Sequence, residues 1–455
     1  MVIIMKKEIF REYDIRGIYP KELNEQDYEI IGKAFASYIE EKDVIIGHDN
    51  RLSSEKLSAA LTKGLMSAGA HVLDLGLCTT PMYYAIKKKL KYKNGLMITA
   101  SHNPKEYNGL KISFAYIGNA FGSAITDFRD FVFKKEFKNG KGTYQVYDNT
   151  EKDYLDIFKK GINLGKKKLK VAFDMGNGTG GIIVRKILDL FDFEYTILCE
   201  KSDGTFPTHH PDPAVPDNMQ LLMYFVKEND YDIGIGIDGD ADRAGFVDNK
   251  GNYVSIDKIM IYLYRYLYPT MKKKKAVMDV KCSKALIDEC NKIKLPIEVC
   301  RTGASIANYK INKEHLTFGG EFSGHLWFSD KHPCFDDGIY SGLRVVEMLS
   351  NINVSLSDLE KTIPTYYATE EIKYPIEDNK KTKLVNDIKK YLRKNNIIFN
   401  DVDGIRVDFK DGFALIRQSN TTPNLTLRFE KKDPEELKKL KSEYLNIINE
   451  IKKTS

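Results

Sequence analysis

Short apolar runs alternate with amphipathic stretches over the first three quarters of the chain. Val44-Ile45-Ile46-Gly47 predicts a strand, and the apolar residues from Ser54 to Ala68 fall at helical intervals. Val72 to Gly76 predicts the next strand, Met82 to Leu90 a helix, and Gly95 to Thr99 a third strand. This βαβ rhythm implies parallel sheet under helical cover. It recurs from Leu169 to Asp174, which leads into the glycine-rich Gly176 to Gly181 and a helix, and then from Tyr231 to Ile237. Lys275 to Val280 opens a third unit, and Phe318 to Glu321 closes its strand set. The pattern changes near the end. Ile398 to Phe409, Gly412 to Ile416 and Thr426 to Glu430 alternate like half-buried strands, and a polar helix runs from Pro434 to Lys452. The expected architecture is α/β: three similar α/β domains with mixed, largely parallel sheets, near 1–150, 151–250 and 251–365, and a C-terminal α+β domain, 366–455. Thr362 to Tyr374 reads as the linker.

Composition narrows the function. A chain of 455 residues with 42% hydrophobic and 29% charged residues is of ordinary globular character. The net charge of +6 comes without a basic block interleaved with aromatics. That argues against nucleic acid and suits a small anionic substrate. Six cysteines form no C-x-x-C pair, as expected of reduced thiols in the cytoplasm. The apolar stretch at the N-terminus is too short for a signal peptide, and no run approaches the roughly 18 apolar residues of a membrane span.

The candidate chemistry lies in four loops. Thr99-Ala100-Ser101-His102-Asn103-Pro104 follows an apolar strand, so the Ser101 hydroxyl is presented at a sheet edge. Asp238-Gly239-Asp240-Ala241-Asp242-Arg243 also ends a strand, and its three carboxylates would repel one another unless a hard divalent cation, Mg²⁺, neutralises them. A calcium loop would need Gly where Arg243 stands and Glu where Asn249 stands. The G-x-G-x-x-G at Gly234, Gly236 and Gly239 fails as a dinucleotide site, because three Asp would repel a pyrophosphate. Arg243 either pairs with the acids or faces a transferring phosphoryl group. Glu321 and Ser323, two apart in an extended loop, suit vicinal sugar hydroxyls. Arg417-Gln418-Ser419-Asn420-Thr421-Thr422-Pro423-Asn424 makes a polar nest for a phosphate. Together, a serine hydroxyl and a carboxylate metal loop point to phosphoryl transfer through a phosphoserine.

These loops, in this order, resemble the α-D-phosphohexomutase superfamily, and within it the phosphomannomutase/phosphoglucomutase group. The resemblance also rests on Phe10 to Gly17, Gly204-Thr205-Phe206-Pro207 with His209-His210-Pro211-Asp212-Pro213, Asp279 to Ser283 and Asp336-Asp337-Gly338. It implies a heart-shaped molecule with one loop from each of four domains in a central cleft. Ser101 would carry the phosphoryl group and, with Asp238, Asp240 and Asp242, face the Mg²⁺. Tyr13, Arg16 and Lys111 match positions near it, with Lys111 or Arg16 assisting proton transfer and His325 as another acid/base. Glu321 and Ser323 would grip the sugar, and Arg417, Ser419, Asn420 and Thr421 the phosphate that is not reacting. The implied reaction interconverts hexose 1-phosphate and hexose 6-phosphate through a bound 1,6-bisphosphate, in a monomer or homodimer. The group usually carries Thr-Gly-His-Ser where this chain has Thr302-Gly303-Ala304-Ser305, so the choice between glucose and mannose is open. A phosphoglucosamine mutase is the alternative, against which stand Ser419-Asn420-Thr421-Thr422-Pro423 and Phe322. A non-catalytic phosphosugar-binding protein is another, against which stand Ser101 and the three Asp.

Overall fold

The computed structural model describes residues 5–419 and 423–454. Among them, the first sheet runs in the spatial order Ile15–Ile18, Tyr107–Phe114, Asn94–Ile98, Asp43–His48, His71–Leu77, Thr143–Val146, with Gly118–Asn119 beside Tyr107–Phe114. Its centre is parallel, and Tyr107–Phe114 and Ile15–Ile18 add an antiparallel edge. The apolar run of Asp43–His48 suits a strand covered on both faces: Ile45 faces one core and Val44 and Ile46 the other. In the second sheet, Glu194–Leu198, Lys170–Asp174 and Ile233–Ile237 are parallel, followed by antiparallel Ala244–Asp248 and Tyr253–Val254. The third unit holds two ladders, parallel Ala276–Asp279 with Ile297–Cys300 and antiparallel Phe318–Gly320 with Leu326–Phe328. The last sheet is antiparallel throughout.

One apolar core runs through the first three units, from Ile45, Leu73 and Tyr83 through Phe173 and Ile235 to Tyr264 and Met348. The helix Gly338–Ile352 is buried on every side up to Ser350, as its sparse polar residues dictate. It packs on Ile233–Ile237, and a Cβ at Gly342 would come within 2.8 Å of Ile235 Cγ2, so glycine permits the approach. The last unit has its own core. It meets the third unit through a small seam of Val280, Phe413 and Leu415. Around that seam Arg406 donates to the carbonyls of Val280 (2.6 Å) and Cys282 (2.7 Å), Arg428 donates to that of Lys281, and Glu430 accepts from Lys284 N at 2.8 Å.

Three local expectations are revised. The expected linker contains strands Tyr367–Ala368 and Ile372–Pro375, which pair with Asn424–Lys431. The run from Ile398 becomes strand only at Ile405, because Gly404 turns the chain at φ +87°. The helix Asp378–Lys394 lies outside the predicted elements. Its lysines mask a buried stripe of Leu384, Val385, Ile388 and Leu392 at helical spacing. Among the described residues no helix is long and apolar enough to cross a membrane.

Arg406 lies over the Phe413 ring at 4.1 Å and is 1% exposed. Arg406→Leu is expected to leave two buried carbonyls unsatisfied at a cost of about 2–4 kcal/mol. Limited proteolysis should then cut between the third and last units first. A digestion pattern and melt equal to the parent's would show that the seam does not depend on Arg406.

Candidate functional site

Ser101, Asp238, Asp279 and Glu321 all sit at or just beyond the C-terminal ends of strands, where an α/β sheet holds its ligands. Ser101 is 3% exposed, in the left-handed region at φ +49°. Its N–H donates to Thr99 Oγ1 (2.9 Å) and its Oγ to Asp238 Oδ2 (2.8 Å). The loop is clamped by Arg51, whose guanidinium donates to the carbonyls of Ser101 (2.8 Å), Asn103 (2.6 Å), Pro104 (2.7 Å) and Tyr107 (3.0 Å). A Cβ at Gly239 would stand 2.5 Å from the Ser101 carbonyl oxygen, so glycine there lets the serine and carboxylate loops touch.

Asp238, Asp240 and Asp242 are buried, with ligand atoms within 4.8 Å of one another. Oδ2 of Asp240 accepts from Thr80 Oγ1 (2.6 Å), Thr99 Oγ1 (3.2 Å) and Lys111 Nζ (2.9 Å), and Lys111 also pairs with Asp242. The helix Thr80–Lys89, capped by Thr79, begins here and places Thr80 on the carboxylate. Burial and the neighbouring Asp240 and Asp242 push the Asp238 carboxyl well up. Burial would raise Asp240 too, but the Lys111 ammonium and the Thr80 hydroxyl hold it down. Burial would lower the Lys111 ammonium, yet Asp240 and Asp242 raise it instead. Oδ1 of Asp240 and Oδ1 of Asp242 are buried without a hydrogen-bond partner. Two orphaned carboxylate oxygens beside a third carboxylate fit a metal ion, and all-oxygen donors suit a hard one.

A cleft of about 360 Å³ opens over these loops. Of the predicted residues, it brings together Tyr13, Arg16, Ser101, Lys111, Arg243, Glu321, Ser323 and His325. Arg16 pairs with Asp14 at 2.5 Å and donates to Asn103 Oδ1 at 2.6 Å, so it braces the serine loop. Arg243 Nε donates to His325 Nε2 at 2.9 Å and lies 3.9 Å from Asp238 Oδ2. That bond leaves the proton of a neutral His325 on Nδ1, 2.9 Å from Asp336 Oδ2. Glu321 Oε1 accepts from Gly303 N at 2.5 Å, and its Oε2 from Ser323 Oγ at 3.3 Å. Burial, then Asp279, raises the Glu321 carboxyl. Tyr13, which lines the same cleft as Ser101, reaches across to donate to the Thr302 carbonyl at 2.6 Å. Ala304 and Ser305 line the same wall.

Arg417 and Ser419 stand outside the walls of this cavity. Arg417 Nε donates to Asp403 Oδ2 at 3.0 Å, and its charge is felt by Tyr13. Ser419 accepts from Lys381 Nζ through its carbonyl at 2.9 Å. Asn420 and Thr421 lie outside the described residues. Arg51, Thr80, Tyr84 and Glu371 were not predicted. The first two act through loops distant in sequence, and Glu371 reaches the cleft beside Lys281, 3.0 Å away, from the stretch read as linker. A larger cavity of about 760 Å³ is lined by residues of the third unit. Its charged wall is internally paired, as in Arg344 with Asp330 at 2.7 Å, and it holds none of the predicted residues.

Four family models match in sequence: phosphoglucomutase/phosphomannomutase alpha/beta/alpha domain I over residues 7–138, domain II over 152–251, domain III over 255–367, and the C-terminal domain over 371–447. A phosphomannomutase/phosphoglucomutase of Pseudomonas syringae pv. tomato is 35% identical over 443 residues, 96% of this chain and 94% of that one. A phosphoglucomutase of Neisseria gonorrhoeae is 34% identical over 454 residues, 97% of each. The crystal structure of a phosphoglucomutase/phosphomannomutase family protein from Burkholderia thailandensis superposes with a TM-score of 0.90 at 30% identity, over 99% of this chain and 98% of that one.

The contact at Gly239 generates a test. Gly239→Ala is expected to lower stability by about 1–3 kcal/mol through overpacking and to weaken divalent-cation binding measured by calorimetry. An unchanged melt and affinity would show slack between the two loops.

Proposed function

The chain belongs to the phosphoglucomutase/phosphomannomutase family and is a phosphohexomutase, an isomerase; on that premise we propose how its own residues interconvert hexose 1-phosphate and hexose 6-phosphate. The observation that carries the reading is Ser101 Oγ, held 2.8 Å from Asp238 in a cleft whose other wall offers Glu321 and Ser323. Ser101 is the phosphoryl carrier. Asp238, Asp240 and Asp242 hold Mg²⁺, which when bound supplies charge for the phosphoryl oxygens.

In the first half-reaction the phosphoserine P–O bond breaks and a P–O bond to the free sugar hydroxyl forms. The hydroxyl proton leaves to a group on the cleft wall. His325 is the acceptor, through the Nε2 lone pair that Arg243 holds in the resting cleft and must release, while Lys111 and Arg16, already cationic, assist proton transfer by charge and by donation rather than by accepting the proton. The bound hexose 1,6-bisphosphate then turns over and returns its other phosphate to Ser101. A fixed donor serves both ends of one sugar only if the sugar reorients, so the grip of Glu321 and Ser323 must accept both orientations. Arg243 places its guanidinium toward the transferring group, and Arg417, with Ser419, anchors the phosphate at rest. Ala304 offers the sugar no hydrogen bond, so mannose and glucose are both read as substrates. The divisions at 150, 250 and 365 are read as the boundaries of the serine, metal, sugar and phosphate units. Free thiols throughout the described residues support a reducing, cytoplasmic setting.

Ser101→Ala should lower turnover by several orders of magnitude, because no neighbouring group replaces the covalent carrier. Intact mass of the parent should show a fraction one phosphate heavier, absent from the variant, and chelation should abolish activity until Mg²⁺ returns. Near-normal turnover of Ser101→Ala with added bisphosphate would sink the covalent route.

Arg417→Ala tests the anchor. A charge-assisted contact is worth about 1.5–3 kcal/mol, so KM should rise roughly tenfold to a hundredfold for glucose 1-phosphate and mannose 1-phosphate alike. The contact persists through the reaction, so kcat should fall less than kcat/KM. An unchanged KM for both sugars would remove this role, and a change for one alone would mean that Arg417 reads the sugar.

A further inference from the structure

Behind the catalytic loop, the second sheet gathers a different set of donors. Asp174 ends the strand Lys170–Asp174, and Cys199 follows Glu194–Leu198, its parallel neighbour. His209 comes over the same edge from the loop that precedes Pro211. The carboxylate oxygen, the thiol sulfur and the imidazole nitrogen lie within 4.8 Å of one another. The mechanism above uses none of the three.

The hydrogen bonding around His209 calls for a positive charge. Nδ1 lies 3.1 Å from the His210 carbonyl oxygen, and Nε2 lies 3.0 Å from Asp174 Oδ2. Both ring nitrogens therefore face acceptors. A neutral imidazole has one N–H and one lone pair, so with Nδ1–H given to the carbonyl, the Nε2 lone pair would oppose a carboxylate. Something positive must stand between them, either a proton or a metal ion. The outer contacts are those of a metal site: a backbone carbonyl fixes the far nitrogen, and Gly176 N donates to the other Asp174 oxygen at 2.9 Å.

We propose that Asp174, Cys199 and His209 form a second metal site, for a borderline divalent transition-metal ion of the Zn²⁺ type. Sulfur, imidazole and carboxylate together select such an ion over Mg²⁺, which the all-oxygen cluster prefers. Bonds of about 2.0–2.3 Å place tetrahedral ligand atoms about 3.2–3.8 Å apart, so the ring must yield a few tenths of an ångström. His209 has a side chain 20% exposed and can move. A cavity of about 10 Å³ touches Asp174 and His209, the space of a single water as fourth ligand. Binding exchanges the dication for two protons, one from Nε2 and one from the Cys199 thiol. The ion would pin the loop whose Pro211 packs against Gly176 and Gly239, and so would brace the carboxylate loop from behind.

The test uses tag-free, chelator-treated full-length protein saturated with Mg²⁺. Titration with Co²⁺ should raise a near-ultraviolet sulfur-to-cobalt charge-transfer band that saturates at about one equivalent and is missing in Cys199→Ser. The oxygen-only cluster cannot produce that band, and the result is independent of mutase activity. A second measurement needs no variant. Cys199 is the partly exposed thiol, the other five cysteines being buried, so iodoacetamide reports on it in the native chain. Zn²⁺ should slow its alkylation at least tenfold in the presence of Mg²⁺. No band in the parent, a band that persists in Cys199→Ser, or an alkylation rate indifferent to Zn²⁺ would overturn the proposal.

Discussion

Three buried carboxylates within 4.8 Å of one another set the terms for the rest of the molecule. At an effective dielectric of about 20, each such pair repels by about 3–4 kcal/mol. The fold does not remove the repulsion. It brings Lys111 from the first sheet onto Asp240 and Asp242, and sets Arg243 near Asp238, yet leaves two carboxylate oxygens bare. With all three ionised, three negative charges would meet two positive ones, and a divalent cation would reverse the sign of the loop. A site that turns positive on taking its metal attracts a phosphate where it would otherwise repel one. The same constraint fixes where Ser101 must be, since its hydroxyl satisfies an oxygen of Asp238 that would otherwise also be bare.

Holding such a cluster requires that the first and second sheets not drift. Lys111 and Thr80 belong to one sheet's unit and the acids to another, so the ion pairs cross a boundary between units. The apolar core that runs unbroken from Ile45 to Met348 supplies the stiffness, and the helix Gly338–Ile352, buried as far as Ser350, ties the second sheet to the third unit. Asp337 caps that helix by accepting from Tyr340 N at 2.9 Å, and also accepts from Tyr154 OH at 2.7 Å. The Asp336-Asp337-Gly338 stretch therefore joins the site to the frame, with Asp336 against His325 on one side and Asp337 at the helix start on the other.

The candidate site was legible in the sequence wherever one loop carries several polar groups in a row. Ser101, the alternating Asp238, Asp240 and Asp242, and the Glu321–Ser323 pair each stand at a strand end that the apolar runs mark. What was not legible depends on contacts between loops far apart in the chain. Arg51 looks like an ordinary charged residue after a strand, yet it holds four carbonyls of the serine loop. Tyr13, which the resemblance places near Ser101 and which lines the same cleft, also bonds to Thr302, 289 residues along the chain, a contact no local pattern announces. The helix Asp378–Lys394 escaped because lysines interrupt its apolar stripe, and the strands at 367–368 and 372–375 because their partner lies some fifty residues later. The Asp174, Cys199 and His209 group has no spacing signature at all, since it takes the pairing of two strands and the return of the His209 loop to bring it together.

The two kinds of junction in the chain divide the work of the site. Where the first three units meet, side chains are apolar and shared, and a shift of even a methylene is felt throughout. Where the last unit meets the third, the apolar seam is small and the contacts are Arg406, Arg428 and Glu430 on backbone groups. Such polar, directional contacts can be broken and remade with water in their place at modest net cost. Ser101, the carboxylates and the Glu321–Ser323 pair therefore sit on the rigid part. Arg417 and Glu371 sit on the part with its own core. On the proposed reaction, a sugar that leaves one orientation and adopts another without losing its second phosphate would need this combination: a fixed donor on one side, and on the other an anchor that can yield while the ligand turns.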